Sequence, residues 1–266
     1  MSQPPETPLA APADRTALVT GAARGIGAAT VARLVADGYR VMALDSCEGP
    51  PLATAEQLDA LAARHGDRVR CRVVDVRDRP ALERAVAETV RVWGRLDVAV
   101  AAAGIILGGR PLWETPDAVL DDLWDVVAKG VWNTAAACVP AMLAGPEPGT
   151  CRFVAVASAA GSHGLFHLAG YNAAKHAVVG MVKGLAADLV GTGVTASAVS
   201  PGSTDTDLLR TTAALYDVPV DELAQHQLIR RAIDPAEIAA AIAFCASPAG
   251  GVVNGTVLHA DGGFGA

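Results

Sequence analysis

The sequence predicts an α/β fold: a single doubly wound domain, with a seven-stranded parallel sheet and helices on both faces. Three observations predict it. Apolar runs of strand length alternate with helix-length segments along nearly the whole chain, without repeats or linkers. The first strand runs into a glycine-rich turn and a helix, and an acid closes the second strand. Hydrophobic residues make up 52% of the 266 and aromatics only 4%, so the apolar mass is Ala, Val and Leu, which suits helices packed closely on a sheet.

Residues 16–20 form the first strand, followed by Gly21-Ala-Ala-Arg-Gly25-Ile-Gly27 and a helix over 28–37. Small residues at such a turn let the backbone approach a pyrophosphate, and the helix N-terminus offers it unpaired N–H groups. The second strand, 40–44, closes on Asp45, placed to accept hydrogen bonds from adenosine ribose hydroxyls. A 2′-phosphate there would meet a carboxylate, which favours NAD over NADP. Arg24 pulls the other way and keeps an NADPH-dependent reductase open as an alternative.

A helix over 56–65 turns Leu58 and Leu61 inward, and 70–76 reads as the third strand, with Asp75 placed to bind an adenine amino group. Pro80 starts a helix that runs to residue 93, as proline at a first turn should. The fourth strand, 96–100, leads into Ala101-Ala-Ala-Gly104, a small-residue turn with room for a cofactor. Residues 117–127 are helical and continue into 131–143 through Lys129-Gly130, and 145–149 form a surface loop.

The fifth strand, 153–157, is apolar throughout, as a buried parallel strand should be, and ends at Ser158. A helix over 171–190 carries Tyr171 and Lys175, four residues apart and therefore on one face, about one turn (~5.4 Å) from each other. A cation so close is expected to lower the tyrosine pKa from its ordinary value of about 10. Hydroxyl, phenol and ammonium together can move a proton on or off an alcohol oxygen. That helix is apolar or small nearly all round, so it needs cover on both sides, which predicts an oligomer. Residues 194–199 form the sixth strand, broken by Ser200-Pro201-Gly202; 204–233 lack a clean period and read as a lid over the substrate. A helix over 235–246 and a last strand, 256–260, complete the chain before Asp261-Gly-Gly263.

Acidic residues outnumber basic ones 28 to 21 for a net charge of −7, with no basic stripe, which excludes nucleic acid as a partner. Cys47, Cys71, Cys138, Cys151 and Cys245 are odd in number and without a C-x-x-C pair, so they read as thiols in a reducing compartment, the cytoplasm. No Cys/His cluster or H-e-x-x-H pattern predicts a metal site. No apolar run reads as membrane-spanning. Residues 1–13, rich in Pro and Ala, read as a flexible tail ahead of a catalytic domain over 14–266.

From Thr20 to Gly263 the chain resembles the short-chain dehydrogenase/reductase family, a Rossmann-type fold. The matching motifs are Thr20-Gly21-x-x-x-Gly25-x-Gly27, Asp75, Gly104, Ser158, Tyr171-x-x-x-Lys175 and Pro201-Gly202. The resemblance implies that Tyr171 is the acid/base, that Ser158 holds the substrate oxygen, and that Lys175 binds the nicotinamide ribose and assists the tyrosine. The cofactor-binding set is then Gly21, Arg24, Gly25, Ile26, Gly27, Asp45, Asp75, Val76, Ala103, Gly104, Tyr171, Lys175, Pro201, Gly202, Thr204 and Thr206. A homotetramer and a small alcohol or ketone substrate are implied as well.

Two stretches depart from the family pattern. Ala101-Ala102-Ala103-Gly104 stands where the family has Asn-Asn-Ala-Gly, and Val127 where it has an asparagine whose backbone helps hold a water of the proton relay. These departures keep a non-catalytic nucleotide-binding regulator open as a rival. Residues 108–114, 166–168 and 200–205 resemble a mycofactocin-coupled subgroup, which implies retained NAD and an external redox carrier. Ile105, Ile106, Leu107, Leu165, Phe166 and Leu168 suggest an apolar pocket for a terpenoid or other lipophilic alcohol, bordered by His163 and His167.

Overall fold

The computed structural model describes residues 15–265; the tail expected at 1–13 lies outside the described residues. Seven strands form one sheet: β1 (Thr16–Thr20), β2 (Arg40–Asp45), β3 (Val69–Val73), β4 (Val98–Ala101), β5 (Arg152–Val156), β6 (Thr195–Pro201) and β7 (Val257–Ala260). Their order is β3-β2-β1-β4-β5-β6-β7, and every pairing is parallel. The chain works outward from β1 to β3, then returns to lay β4 on the other side of β1. Loops leaving the carboxyl ends of β1 and β4 therefore diverge, opening the crevice in which doubly wound sheets bind ligands.

The connecting helices are α1 (Gly25–Ala36), α2 (Ala55–His65), α3 (Arg79–Trp93), α4 (Asp117–Leu123), α5 (Lys129–Leu143), α6 (Ala169–Asp188), α7 (Asp207–Tyr216), α8 (Val220–Ala224) and α9 (Pro235–Ala246). Alternate strand residues face opposite layers. Leu18, Met42 and Phe153 pack with Leu82, Met142 and Val178 of α3, α5 and α6. Val19, Val41 and Val154 pack with Leu34, Leu58 and Ile242 of α1, α2 and α9. The central strands β1, β4 and β5 are buried along their whole length, whereas the edge strand β3 exposes Arg70, Arg72 and Val73. Charge on an exposed edge deters pairing with another sheet.

Several boundaries differ from the sequence reading. α1 begins at Gly25, inside the glycine turn, because Arg24 before it is extended and starts the helix at once. β3 stops at Val73, as Val74 and Val76 both turn into the core and leave Asp75 in the loop between them. β6 runs on through Pro201, which pairs with Ala260; at a strand's last position its missing N–H costs only a terminal ladder bond. The stretch expected to be aperiodic holds α7 and α8, with a small apolar cluster of Leu209, Ala213 and Leu223.

α4 and α5 are joined by a π-helical turn at Trp124–Ala128, in which the Lys129 N–H reaches back to the Trp124 carbonyl. Such turns widen a helix by one residue and bend its course. The composite span Asp117–Leu143 is long and apolar enough to cross a membrane, contrary to the sequence reading, but half of its most apolar window is buried inside the fold. Its α5 portion passes directly beneath the loop after β3. A Cβ on Gly130 would fall 2.6 Å from Val76 Cγ2, and Asn133 Nδ2 donates to the Val76 carbonyl at 2.9 Å.

That bond fixes the loop carrying Asp75. Asn133→Ala leaves a buried carbonyl unpaired, and is expected to lower stability by about 1–3 kcal/mol in urea unfolding. An unchanged transition would mean that Asn133 does not hold the loop.

Candidate active site

A cavity of about 1040 Å³ lies over the carboxyl ends of the strands, and every residue that the sequence reading assigned to cofactor or chemistry lines it. One end is a cradle of backbone. Gly21 (φ +64°) comes so close to the turn after β4 that a Cβ on it would sit 2.7 Å from Ala103 Cα, and a Cβ on Gly27 would overlap the Gly21 carbonyl oxygen. The turn is held from two sides. Thr20 Oγ1 accepts the Ala102 and Ala103 N–H groups at 3.1 and 3.3 Å, while Asp45 Oδ2 accepts the Ala23 N–H at 3.0 Å. A bare backbone turn leading into a helix N-terminus, with a carboxylate beside it, fits a dinucleotide.

The adjoining wall is ionic. Asp75 accepts from the Arg77 backbone N–H at 2.8 Å and from its Nε at 2.6 Å, and Arg77 also pairs with Glu48 at 2.5 Å. Burial pushes the Asp75 carboxyl up, but the Arg77 hydrogen bonds outweigh it and hold the group below its ordinary range. Arg24, also at the cavity, meets Asp207 Oδ2 through Nη1 at 3.0 Å.

The other end buries Tyr171 and Lys175. Ser158, just past β5, caps a short 3-10 turn by accepting the Ala160 N–H at 3.2 Å. Its hydroxyl is also near enough to the Tyr171 phenol to favour the ionised form. Tyr171 and Lys175 share the buried face of α6, with Lys175 Nζ 5.8 Å from the Tyr171 ring centre and donating to the Val156 carbonyl at 2.8 Å. The expected lowering of the tyrosine pKa is not met. Burial pushes Tyr171 up to about 12 against the opposing Ser158 bond, and burial alone brings Lys175 down to about 8. Both groups are 5% exposed, so desolvation, which disfavours either charged form, outweighs their mutual attraction.

Val127 lies within the π turn, wholly buried, and its neighbour Val126 is the residue that reaches the cavity. Asn133 faces the Val76 carbonyl rather than this site. Among the described residues no group of three or more His, Cys, Asp or Glu is placed to hold a metal ion.

Beyond Tyr171 the walls are apolar. Ile105, Ile106, Leu107, Leu165, Phe166 and Leu168 all line the cavity. Leu208, Leu209, Tyr216, Leu223, His226 and Phe264 join them, and the sequence reading named none of these. Tyr216 Oη donates to the Phe166 carbonyl at 2.5 Å, tying the end of α7 to the loop before α6. Phe264 stands between the His163 and His226 rings, at 6.0 and 6.4 Å. His163 and His167 flank the pocket without lining it, His167 stacking on Phe166 at 3.6 Å. The Tyr216–Phe166 bond joins segments 50 residues apart, and no local pattern announces it.

Residues 21–265 match the family model described as enoyl-(acyl carrier protein) reductase. The chain is 33% identical over 270 residues to a short-chain type dehydrogenase/reductase of Mycolicibacterium smegmatis, covering 94% of this chain and 96% of that one. It is 33% identical over 264 residues to an NAD-dependent oxidoreductase of Mycobacterium tuberculosis, covering 94% and 95%. Among solved structures, carveol dehydrogenase from Mycobacterium avium in complex with NAD superposes with a TM-score of 0.86 at 31% identity, covering 95% of this chain and 98% of that one.

The two buried groups make stability depend on pH with opposite signs. Lys175 falls from 10.5 to about 8 on folding, so the unfolded chain binds the extra proton, and stability rises as pH climbs from about 8 toward 10.5. Tyr171 moves from 10.0 to about 12, so its contribution is lost as pH rises above 10. Lys175→Met is expected to flatten the rise between pH 8 and 10 in denaturant titrations; a rise of unchanged slope would show that Lys175 is not desolvated.

Proposed function

This chain belongs to the short-chain dehydrogenase/reductase family, and we propose that it interconverts a lipophilic secondary alcohol and its ketone with NAD. The observation that carries this reading is one cavity with a backbone cradle and Asp45 at one end and Ser158, Tyr171 and Lys175 at the other. When bound, the oxidised nucleotide supplies a hydride acceptor and a ring cation that draws the nearby phenol toward its ionised form. Tyr171 Oη takes the hydroxyl proton of the alcohol, or returns it to the ketone oxygen. Ser158 Oγ hydrogen-bonds the same oxygen and fixes its distance from the phenol. Lys175, oriented by the Val156 carbonyl, holds the nicotinamide ribose and favours proton loss from Tyr171.

The Asp45 and Glu48 carboxylates line the cavity and would repel a 2′-phosphate, which supports NAD, and the similar carveol dehydrogenase structure contains NAD. The apolar walls and that same similarity support a cyclic lipophilic alcohol as substrate. Residues 204–233 act as the lid. We further read the chain as a cytoplasmic homotetramer of the mycofactocin-coupled subgroup, which retains its NAD and passes electrons to an external carrier. Exposed Trp124, Trp132 and Leu120 on the composite helix support self-association. The NADPH-dependent alternative rests on Arg24, whose guanidinium faces Asp207.

Tyr171→Phe is expected to cut turnover by about 10²–10⁴-fold or more while leaving NAD affinity intact; near-normal turnover would sink the mechanism. Denaturing the freshly purified protein and chromatographing the released nucleotide tests retention. Near-stoichiometric NAD is expected. An empty protein would mean an ordinary exchanging enzyme, and stoichiometric NADP would overturn the NAD assignment.

A further inference from the structure

We propose that Asp207 is a selectivity-determining residue that acts through Arg24, withholding that guanidinium from the 2′-phosphate of NADP. The inference rests on the NAD reading above and supplies the part of it that Asp45 does not explain.

Arg24 immediately precedes α1, and the residue before it, Ala23, donates its N–H to Asp45 Oδ2 at 3.0 Å. The guanidinium thus springs from the residue adjoining the carboxylate expected to read the ribose. An arginine there is the natural phosphate reader, since its planar fork matches phosphate oxygens bidentately. In this chain it is engaged: Arg24 Nη1 lies 3.0 Å from Asp207 Oδ2, a residue 183 positions away.

The placement of Asp207 is built rather than incidental. It is the first residue of α7, whose N-terminus is capped by Thr206 Oγ1 accepting the Leu209 N–H at 3.4 Å. Thr206 also packs on the glycine turn, its Cγ2 lying 3.2 Å from where a Cβ on Gly25 would stand. Asp207 Oδ1 accepts from Arg210 at 3.2 Å, and Arg210 pairs in turn with Asp205 at 2.8 Å. Two arginines are balanced by two aspartates. Arg77, which also lines the cavity, is held by Asp75 and Glu48. Neither cation bordering this end of the cavity is left with its charge uncompensated, so an incoming 2′-phosphate would have to displace a carboxylate while facing Asp45 and Glu48.

The Arg24–Asp207 side chains are 29% and 51% exposed, and ion pairs of that exposure contribute little to stability. Removing the aspartate should therefore free the arginine without unfolding the lid, since the Thr206 cap remains.

The test is a double-mutant cycle read by equilibrium titration of NAD and of NADP. Asp207→Asn is expected to shift the affinity ratio toward NADP by about tenfold, the size of one charge-assisted hydrogen bond. In an Arg24→Gln background the same substitution should shift nothing, and Asp205→Asn, which leaves Arg24 paired, should preserve the wild-type ratio. An unchanged ratio in Asp207→Asn overturns the proposal. So does an equal shift without Arg24, or with Asp205→Asn, because general charge removal would then account for it. A wild type that binds NADP more tightly than NAD overturns the parent reading instead, and leaves the shift measurable.

Discussion

Where the sheet reverses its order, backbone meets backbone with no room for a side chain. Gly27 stacks on the Gly21 carbonyl, and Gly21 stacks on the turn at Ala103. Contact at that range allows α1 to start immediately above β1 and brings the β4 turn against it. Everything that borders the cavity is registered from this point. Asp45 is fixed because it accepts the Ala23 N–H of the same turn, and Thr206 reaches it from the far side through Gly25. A single methyl group at Gly27 would separate these pieces, since real Cβ atoms do not tolerate such overlap.

The two ends of the cavity are built on opposite electrostatic plans. At the cradle end the charges are numerous, partly exposed and mutually compensated: Arg24 with Asp207, Arg77 with Asp75 and Glu48. At the other end they are few and desolvated, with Tyr171 driven toward its protonated form and Lys175 toward its neutral one. Burial on this scale means that the surroundings screen weakly any charge brought into this end of the cavity. The cradle end, by contrast, also presents shape and hydrogen-bond acceptors, among them the Asp45 carboxylate that accepts the Ala23 N–H.

Departures from the family pattern are absorbed by the backbone. Val127 sits in a π turn whose widened geometry joins α4 to α5, so the irregularity in the middle helix does not require the asparagine side chain. The Ala102 and Ala103 N–H groups donate to the Thr20 hydroxyl, so that turn is held through its own backbone without side chains at those two positions. Asn133 serves another purpose, anchoring the loop that carries Asp75. Within the proposed lid, α7 is tied at both of its ends, by Asp207 to Arg24 and by Tyr216 to the Phe166 carbonyl.

Much of this was legible in the chain itself. The alternation of apolar runs determined the doubly wound sheet, because a buried parallel strand and an amphipathic helix carry different periods. The glycine turn, Asp45 and the Ser158, Tyr171 and Lys175 constellation could be read because each depends on local spacing: a strand end, a helix start, one helical turn. What the sequence could not decide is whatever depends on burial and on long-range partners. It predicted that Lys175 lowers the tyrosine pKa, since proximity is visible in spacing; desolvation is not, and it dominates. It placed Arg24 in the glycine turn but not its counter-ion Asp207, which lies 183 residues away on a helix whose short amphipathic pattern was read as aperiodic. The pocket walls from α7, α8 and Phe264 escaped notice for the same reason. Local chemistry is written in neighbours along the chain, but charge compensation and solvent exclusion are set by neighbours in space, and only the folded tertiary structure brings those together.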